Sequence, residues 1–143
     1  MKDAVDRLFA RYAAFFRQSL AGDLDPGELA ALYAPEFIAA SPRGVMAGKN
    51  DEGLIRAMTQ GYAHYRAIGT RDMRIRAIGT VPIDDCHCLA HVGWTATYAR
   101  EDLPETAVDF EVHYLVQVLD GQARVFGWVS GDEQALLHEH GII

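Results

Sequence analysis

The segment AVDFEVHYLVQVL, residues 107–119, carries an apolar or aromatic side chain at every second position: Val108, Phe110, Val112, Tyr114, Val116 and Val118. Successive side chains of an extended chain point to opposite faces. One face of this strand is therefore a core face, while the other mixes Asp109, Glu111, His113 and Gln117 with Leu115 and Leu119. A long strand with one apolar face needs similar strands beside it, and the sequence supplies them. RDMRIRAIGTVPI and CHCLAHVGWTATYAR precede it, and ARVFGWVS follows. Asp120-Gly121 is a hairpin signal between the last two strands. Alternation puts Met73, Ile75 and Ala77 on one side of the first strand and Arg74 and Arg76 on the other. In ARVFGWVS, Phe126 and Trp128 have the parity opposite to Val125 and Val129, and a bulge would swap them.

Before Gly69 the period is helical. Val5, Leu8, Phe9, Tyr12, Phe15, Phe16 and Leu20 recur at spacings of three and four, which predicts an amphipathic helix over 3–20. Gly22 follows in a helix-ending position. Asp25-Pro26 reads as the cap and first residue of a short helix carrying Leu29, Leu32 and Tyr33, stopped by Pro35. EFIAASPRG is a short strand with Phe37, Ala39 and Ser41 on one face and a turn after it. A third helix is expected over 50–67, capped by Asn50, with Leu54, Ile55, Met58, Tyr62 and Tyr65 as its apolar stripe. Asp132 is placed to cap a short terminal helix. Helices segregated from an antiparallel sheet mean an α+β fold, expected here as one domain over 1–143.

The chain carries a net charge of -7. That balance argues against nucleic acid or an anionic membrane as the main partner. No run of about 18 apolar residues is present to span a bilayer. The first residues, MKDAVDRLFARY, carry charges where a signal peptide needs an apolar stretch, which makes the cytoplasm the expected location. Two cysteines are too few for a secreted disulfide framework.

The stretch DDCHCLAHVGW, residues 84–94, concentrates cysteines, histidines and aspartates and raises the question of a metal. Period two sorts it: Cys86, Cys88, Ala90, Val92 and Trp94 share one face, and His87, Leu89, His91 and Gly93 the other. His87 and His91 lie about 13 Å apart along a strand, too far to share an ion. No metal and no cofactor are expected. Cys88, Ala90, Val92 and Trp94 read as core or cavity wall, free cysteine often being a small buried hydrophobe, and the two histidines face solvent or a second subunit. Glu111 and His113 share a face and are near enough to form an acid–base pair, although surface or interface pairing is the simpler expectation.

Several pieces of the chain together resemble the nuclear-transport-factor-2-like superfamily, which includes ketosteroid isomerase and SnoaL-like cyclases. They are the aromatic helix RYAAFF, the run AGDLDPGELAALYAPEFIAASPRG, the AGKN before the third helix and the hairpin LDGQARVFGW. The resemblance implies a curved sheet wrapped round helices as a cone, with a pocket at the open end. It also implies a homodimer through the outer sheet face. The isomerase's proton-moving aspartate corresponds to Ser41, and a serine hydroxyl is no useful base near pH 7 without an activating partner. Its oxyanion tyrosine corresponds by context to Tyr12 and by counting back from Gly22-Asp23 to Phe15. Its second aspartic acid corresponds to Tyr114 or Leu115. Isomerase chemistry of that type is therefore not expected. His64 is a candidate for the histidine that dehydratase and cyclase members use.

The side chains expected around the pocket are Tyr12, Phe16, Phe37, Ser41, Met58, Tyr62, Trp94, Tyr98, Tyr114 and Trp128. Such a lining suits a small, flat, apolar ligand bearing an oxygen or two. Tyr12, His64 and Tyr114 are the candidate catalytic residues of the alternative, a SnoaL-like cyclase, dehydratase or isomerase. A third reading is a filled cone whose outer sheet face is the functional surface.

Overall fold

The computed structural model describes residues 1–143. Helix α1 (Lys2–Ala21) is followed by α2 (Pro26–Leu32), the hairpin β1 (Tyr33–Ser41) and β2 (Gly44–Lys49), and α3 (Glu52–Ala67). Then come β3 (Thr70–Pro82), β4 (His87–Arg100), β5 (Leu103–Leu119), β6 (Gln122–Ser130) and α4 (Glu133–Glu139). The strands form one sheet in the order β2-β1-β6-β5-β4-β3. All neighbours are antiparallel except β1 and β6. This is the expected α+β architecture. No helix is long and apolar enough to cross a membrane.

Local chemistry accounts for most of the boundaries. The Asp25 carboxylate accepts from the amides of Gly27 and Glu28, and Pro26 needs no donor at the first helical position. Asp132 accepts from the Ala135 amide at 3.0 Å and starts α4. Asp120 and Gly121 both have positive φ, 51° and 76°, the backbone that matches a two-residue hairpin to twisted strands. Gly69 has φ 92°, and a Cβ there would lie 2.9 Å from the Ala99 carbonyl oxygen, so glycine is required where α3 turns into β3.

Three expectations about local structure need correction. Tyr33 is the first residue of β1 and not part of the second helix, which ends at Leu32; Pro35 lies inside the strand. β2 is a strand the sequence pattern did not single out, since GVMAGK lies almost wholly exposed on the sheet edge and has no apolar face to advertise it. Asp51 caps α3 by accepting from the Gly53 amide at 2.9 Å. The Asn50 side chain instead donates to the carbonyls of Ala30 and Tyr33 at 2.9 and 3.0 Å, tying the start of α3 to the end of α2.

Two bulges sort the inner face. In β3, Ile75 pairs with Trp94 and Ala77 with Gly93, so Arg76 is the extra residue. Beyond it the parity flips: Ile78 packs on the core and Ala77 is exposed, contrary to strict alternation. In β6, Leu115 pairs with Gly127 and Val116 with Val125, so Phe126 is the extra residue. Val125 and Trp128 consequently both face inward. The core lies between this face and α1, with Phe9, Val92, Trp94, Val108 and Val116 almost fully buried.

Asn50→Ala removes both side-chain hydrogen bonds at the junction of α2, β1 and α3. The expected result is a loss of about 1–3 kcal/mol with an unchanged denaturant slope, measured by urea unfolding.

Candidate functional site

The aromatic side chains of α1 and the sheet do not fill the cone. They leave a cavity of about 370 Å³ at its open end. Helix α1 contributes Tyr12 and Phe16, α3 contributes Tyr65, and β4 contributes Trp94 and Tyr98. Val108, Phe110, Val112 and Tyr114 of β5 and Trp128 of β6 form the opposite wall, and Leu136 and Leu137 of α4 close one side. Both tryptophans of the chain are therefore cavity residues. Ser130, Asp132 and Glu133 supply polar groups where β6 runs into α4.

A hydrogen-bonded group of rings sits at the inner wall. Trp94 Nε1 donates to Tyr114 Oη at 3.1 Å, and the hydroxyls of Tyr12 and Tyr33 lie 2.8 Å apart. The Tyr12 ring meets those of Tyr114 and Trp94 at 5.5 and 5.9 Å, the first edge-on. Such contacts hold rings in defined orientations. At the mouth, Tyr65 donates to Glu133 Oε1 at 2.8 Å, joining α3 to α4.

Burial raises the ionisation point of every tyrosine in the chain. It dominates for Tyr12 and pushes Tyr33 and Tyr114 well above the ordinary value, with neighbouring phenols adding to the rise in those two. It also raises Tyr62, and it raises Tyr65 with help from the adjacent Glu133 charge. Tyr98 is pushed up to about 12. All six phenols are thus neutral near pH 7, able to donate a hydrogen bond and unsuited to remove a proton.

Of the residues expected at the pocket, Tyr12, Phe16, Trp94, Tyr98, Tyr114 and Trp128 line this cavity, and Phe37, Ser41, Met58 and Tyr62 do not. Phe37 lies behind the wall, stacked on Trp128 at 5.2 Å. Tyr62 stands edge-on to Phe16 at 5.0 Å, in a second layer. Ser41 ends β1, and its hydroxyl accepts from the Arg43 amide at 3.2 Å to shape the turn. Met58 packs on the helix side of the core. Residue parity explains the missed lining: Met73, Val108, Phe110 and Val112 share the inner face already identified, but the sequence does not say how far along each strand the opening extends.

The candidate catalytic residues separate. His64 is exposed on α3 and does not reach the cavity. Phe15 is buried against Tyr62, 6.0 Å ring to ring, whereas Tyr12 lines the opening. Tyr114 faces inward, and Leu115 faces outward beside Gly127. Glu111 and His113 do not form the considered pair. Glu111 lies 4.0 Å from the Arg76 guanidinium, and the His113 ring meets His91 across the strands. In the 84–94 stretch, Cys88 is buried on the inner face and Asp84 accepts from the Cys86 amide and contacts His87 at 2.8 Å.

A family model described as NTF2-like protein (DUF6841) matches residues 2–133. The chain belongs to this family. Solved structures agree on the fold. An NTF2-like protein with a cystatin-like fold from Novosphingobium aromaticivorans is 13% identical, with a TM-score of 0.69 over 95% of this chain and 88% of that one. A ketosteroid isomerase-like protein from Erwinia carotovora atroseptica is 13% identical, with a TM-score of 0.62 over 90% and 93%. An NTF2-like protein of unknown function from Shewanella oneidensis is also 13% identical, with a TM-score of 0.65 over 92% and 98%. At these identities the likeness concerns the fold. No curated protein sequence matches the chain.

The phenols make an alkaline prediction for this NTF2-like chain. Each keeps its proton to higher pH when folded than when unfolded, so the folded state binds more protons above the ordinary tyrosine value of 10.0. Their contribution to stability is fully present below that pH and is lost as pH rises through the folded values. Urea midpoints should fall steadily above pH 10, and phenolate absorbance should appear together with unfolding. A tyrosine that ionises near pH 10 in the folded protein contradicts this.

Proposed function

We propose that this protein binds a small, flat, apolar molecule bearing a carbonyl or phenolic oxygen in the cavity between α1 and the inner sheet face. The observation that carries the reading is the combination of wall and donors. Two indoles and several phenyl or phenol rings surround a space of about 370 Å³, within the range of small-molecule sites. Tyr12 and Tyr114 place neutral hydroxyls among them. An oxygen on the ligand would accept from these hydroxyls while its rings lie against Trp94 and Trp128. A binding role is favoured over a cyclase, dehydratase or isomerase reaction because no histidine lines the cavity and its tyrosines hold their protons. Of the three carboxylates at the cavity, Asp132 caps α4, Glu133 accepts from Tyr65, and Glu111 lies 4.0 Å from the Arg76 guanidinium.

Because both tryptophans line the cavity, intrinsic fluorescence reports directly on its occupancy. Titration with 2-naphthol, excited and read so that the probe's own emission is excluded, should give a saturable change. Tyr12→Phe should weaken it by about 1 kcal/mol, close to fivefold in affinity. No saturable change at millimolar probe would reject the reading.

A second copy of the chain is the proposed occupant of the outer sheet face. Two ladder rows cross all six strands there: Ala47, Ile38, Gly127, Leu115, Leu89 and Val81, then Val45, Ala40, Val129, His113, His91 and Gly79. Neither contains Asp, Glu, Lys or Arg. Exposed patches of this kind mark interaction surfaces. Two chains each carrying -7 approach with least repulsion through such a face. Val129→Glu should shift sedimentation from dimer to monomer. A wild-type chain that sediments as a monomer at micromolar concentration contradicts it. The cytoplasm is the proposed location, in keeping with the free thiols Cys86 and Cys88.

A further inference from the structure

The outer face holds one chemically distinct feature that the cavity does not use. His91 of β4 and His113 of β5 are direct partners in the antiparallel ladder. Their rings meet at 4.8 Å and 72°, with the two Nδ1 atoms 2.6 Å apart. Two nitrogens this close hold at most one hydrogen between them. When both rings carry their hydrogen on Nε2, two lone pairs converge on one point. Both side chains are half-buried and reachable from solvent.

We propose that His91 and His113 together chelate a divalent transition ion of the zinc or copper class. Imidazole nitrogen is a preferred ligand of these ions. Nitrogens bound to one tetrahedral zinc at about 2.0–2.1 Å lie about 3.3 Å apart, so the rings must separate by roughly 0.7 Å. Small ring rotations provide that. The neighbour of His91 on β3 is Gly79, where a side chain would meet nothing within 4 Å, so an ion with its waters has room. Within one chain the remaining positions are left to water, since no third histidine, cysteine or carboxylate joins the pair. His87 lies outside the site: its ring nitrogens face Asp84 at 2.8 Å and Gln117 at 3.1 Å. The site consists of one chain's residues on the face opposite the cavity, and it stands or falls independently of the ligand proposed there. It shares its face with the proposed second copy, so mass must be measured alongside binding.

The test is calorimetric titration of the full reduced chain with zinc chloride at pH 7.5, with sedimentation of the same samples. The expected result is saturable binding of one ion per chain, weakened about tenfold or more by His91→Ala and by His113→Ala. His87→Ala should leave it unchanged. The alanine variants should keep the wild-type urea midpoint, because both rings lie outside the core. Three results overturn the proposal: no binding at millimolar zinc, equal binding by His91→Ala, or one ion per two chains, which assigns the metal to a site shared between copies.

Discussion

The extra residue Phe126 in β6 lets Val125 and Trp128 face the same side of the sheet. A regular strand would hold one of them in water. With the bulge, Val125 seals the core, and Trp128 stacks on Phe37 and reaches the cavity wall. The bulge at Arg76 does the same work in β3, turning Ile75 and Ile78 inward together. The displaced Arg76 side chain folds over the outer face, where its guanidinium donates to the Trp94 carbonyl at 2.6 Å. It lies 2.8 Å from where a Cβ of Gly93 would stand, so that glycine leaves the space it occupies. Bulges also strengthen twist and bend, which suits a sheet that must curl around α1.

The cavity follows from the same inner face. Rings are stiff and large, and those on α1 meet those on β4 and β5 at fixed angles before they can fill the centre of the cone. The hydrogen bond from Trp94 to Tyr114 and the contact between the Tyr12 and Tyr33 hydroxyls satisfy polar tips that would otherwise be buried alone. The opening that remains is apolar along its walls and carries hydroxyl donors at its inner end. Those are the features on which the proposed binding of an uncharged, oxygen-bearing ring system rests. The NTF2-like fold provides the frame and does not specify the chemistry.

The sheet was legible because its strands are long and alternate on either side of their bulges, and the caps Asp25 and Asp132 because their chemistry is local. The Phe126 bulge was visible as a parity conflict between Val125 and Trp128. The Arg76 bulge was not, because Met73, Ile75 and Ala77 all fit an unbroken strand. β2 escaped because an exposed edge strand has no core face. Asn50 and Asp51 are both residue types that cap helices, and only tertiary contacts give the cap to Asp51 and turn Asn50 toward Ala30 and Tyr33. Six expected pocket residues line the cavity, because parity identifies an inner face. Phe37 and Tyr62 do not, because parity cannot separate a first layer of rings from a second. The cross-strand pairing of His91 with His113 depends on register between strands. Spacing within the segment 84–94 could not reveal it.

The most direct test of this account is a proton–nitrogen correlation spectrum of the two tryptophan indole groups, recorded with and without 2-naphthol. The account predicts two indole resonances that both shift saturably with a common affinity, while backbone amides of the outer rows around Leu89 and Leu115 stay in place. Indole resonances that do not move at saturating probe, or shifts confined to the outer face, would contradict the cavity as the functional site.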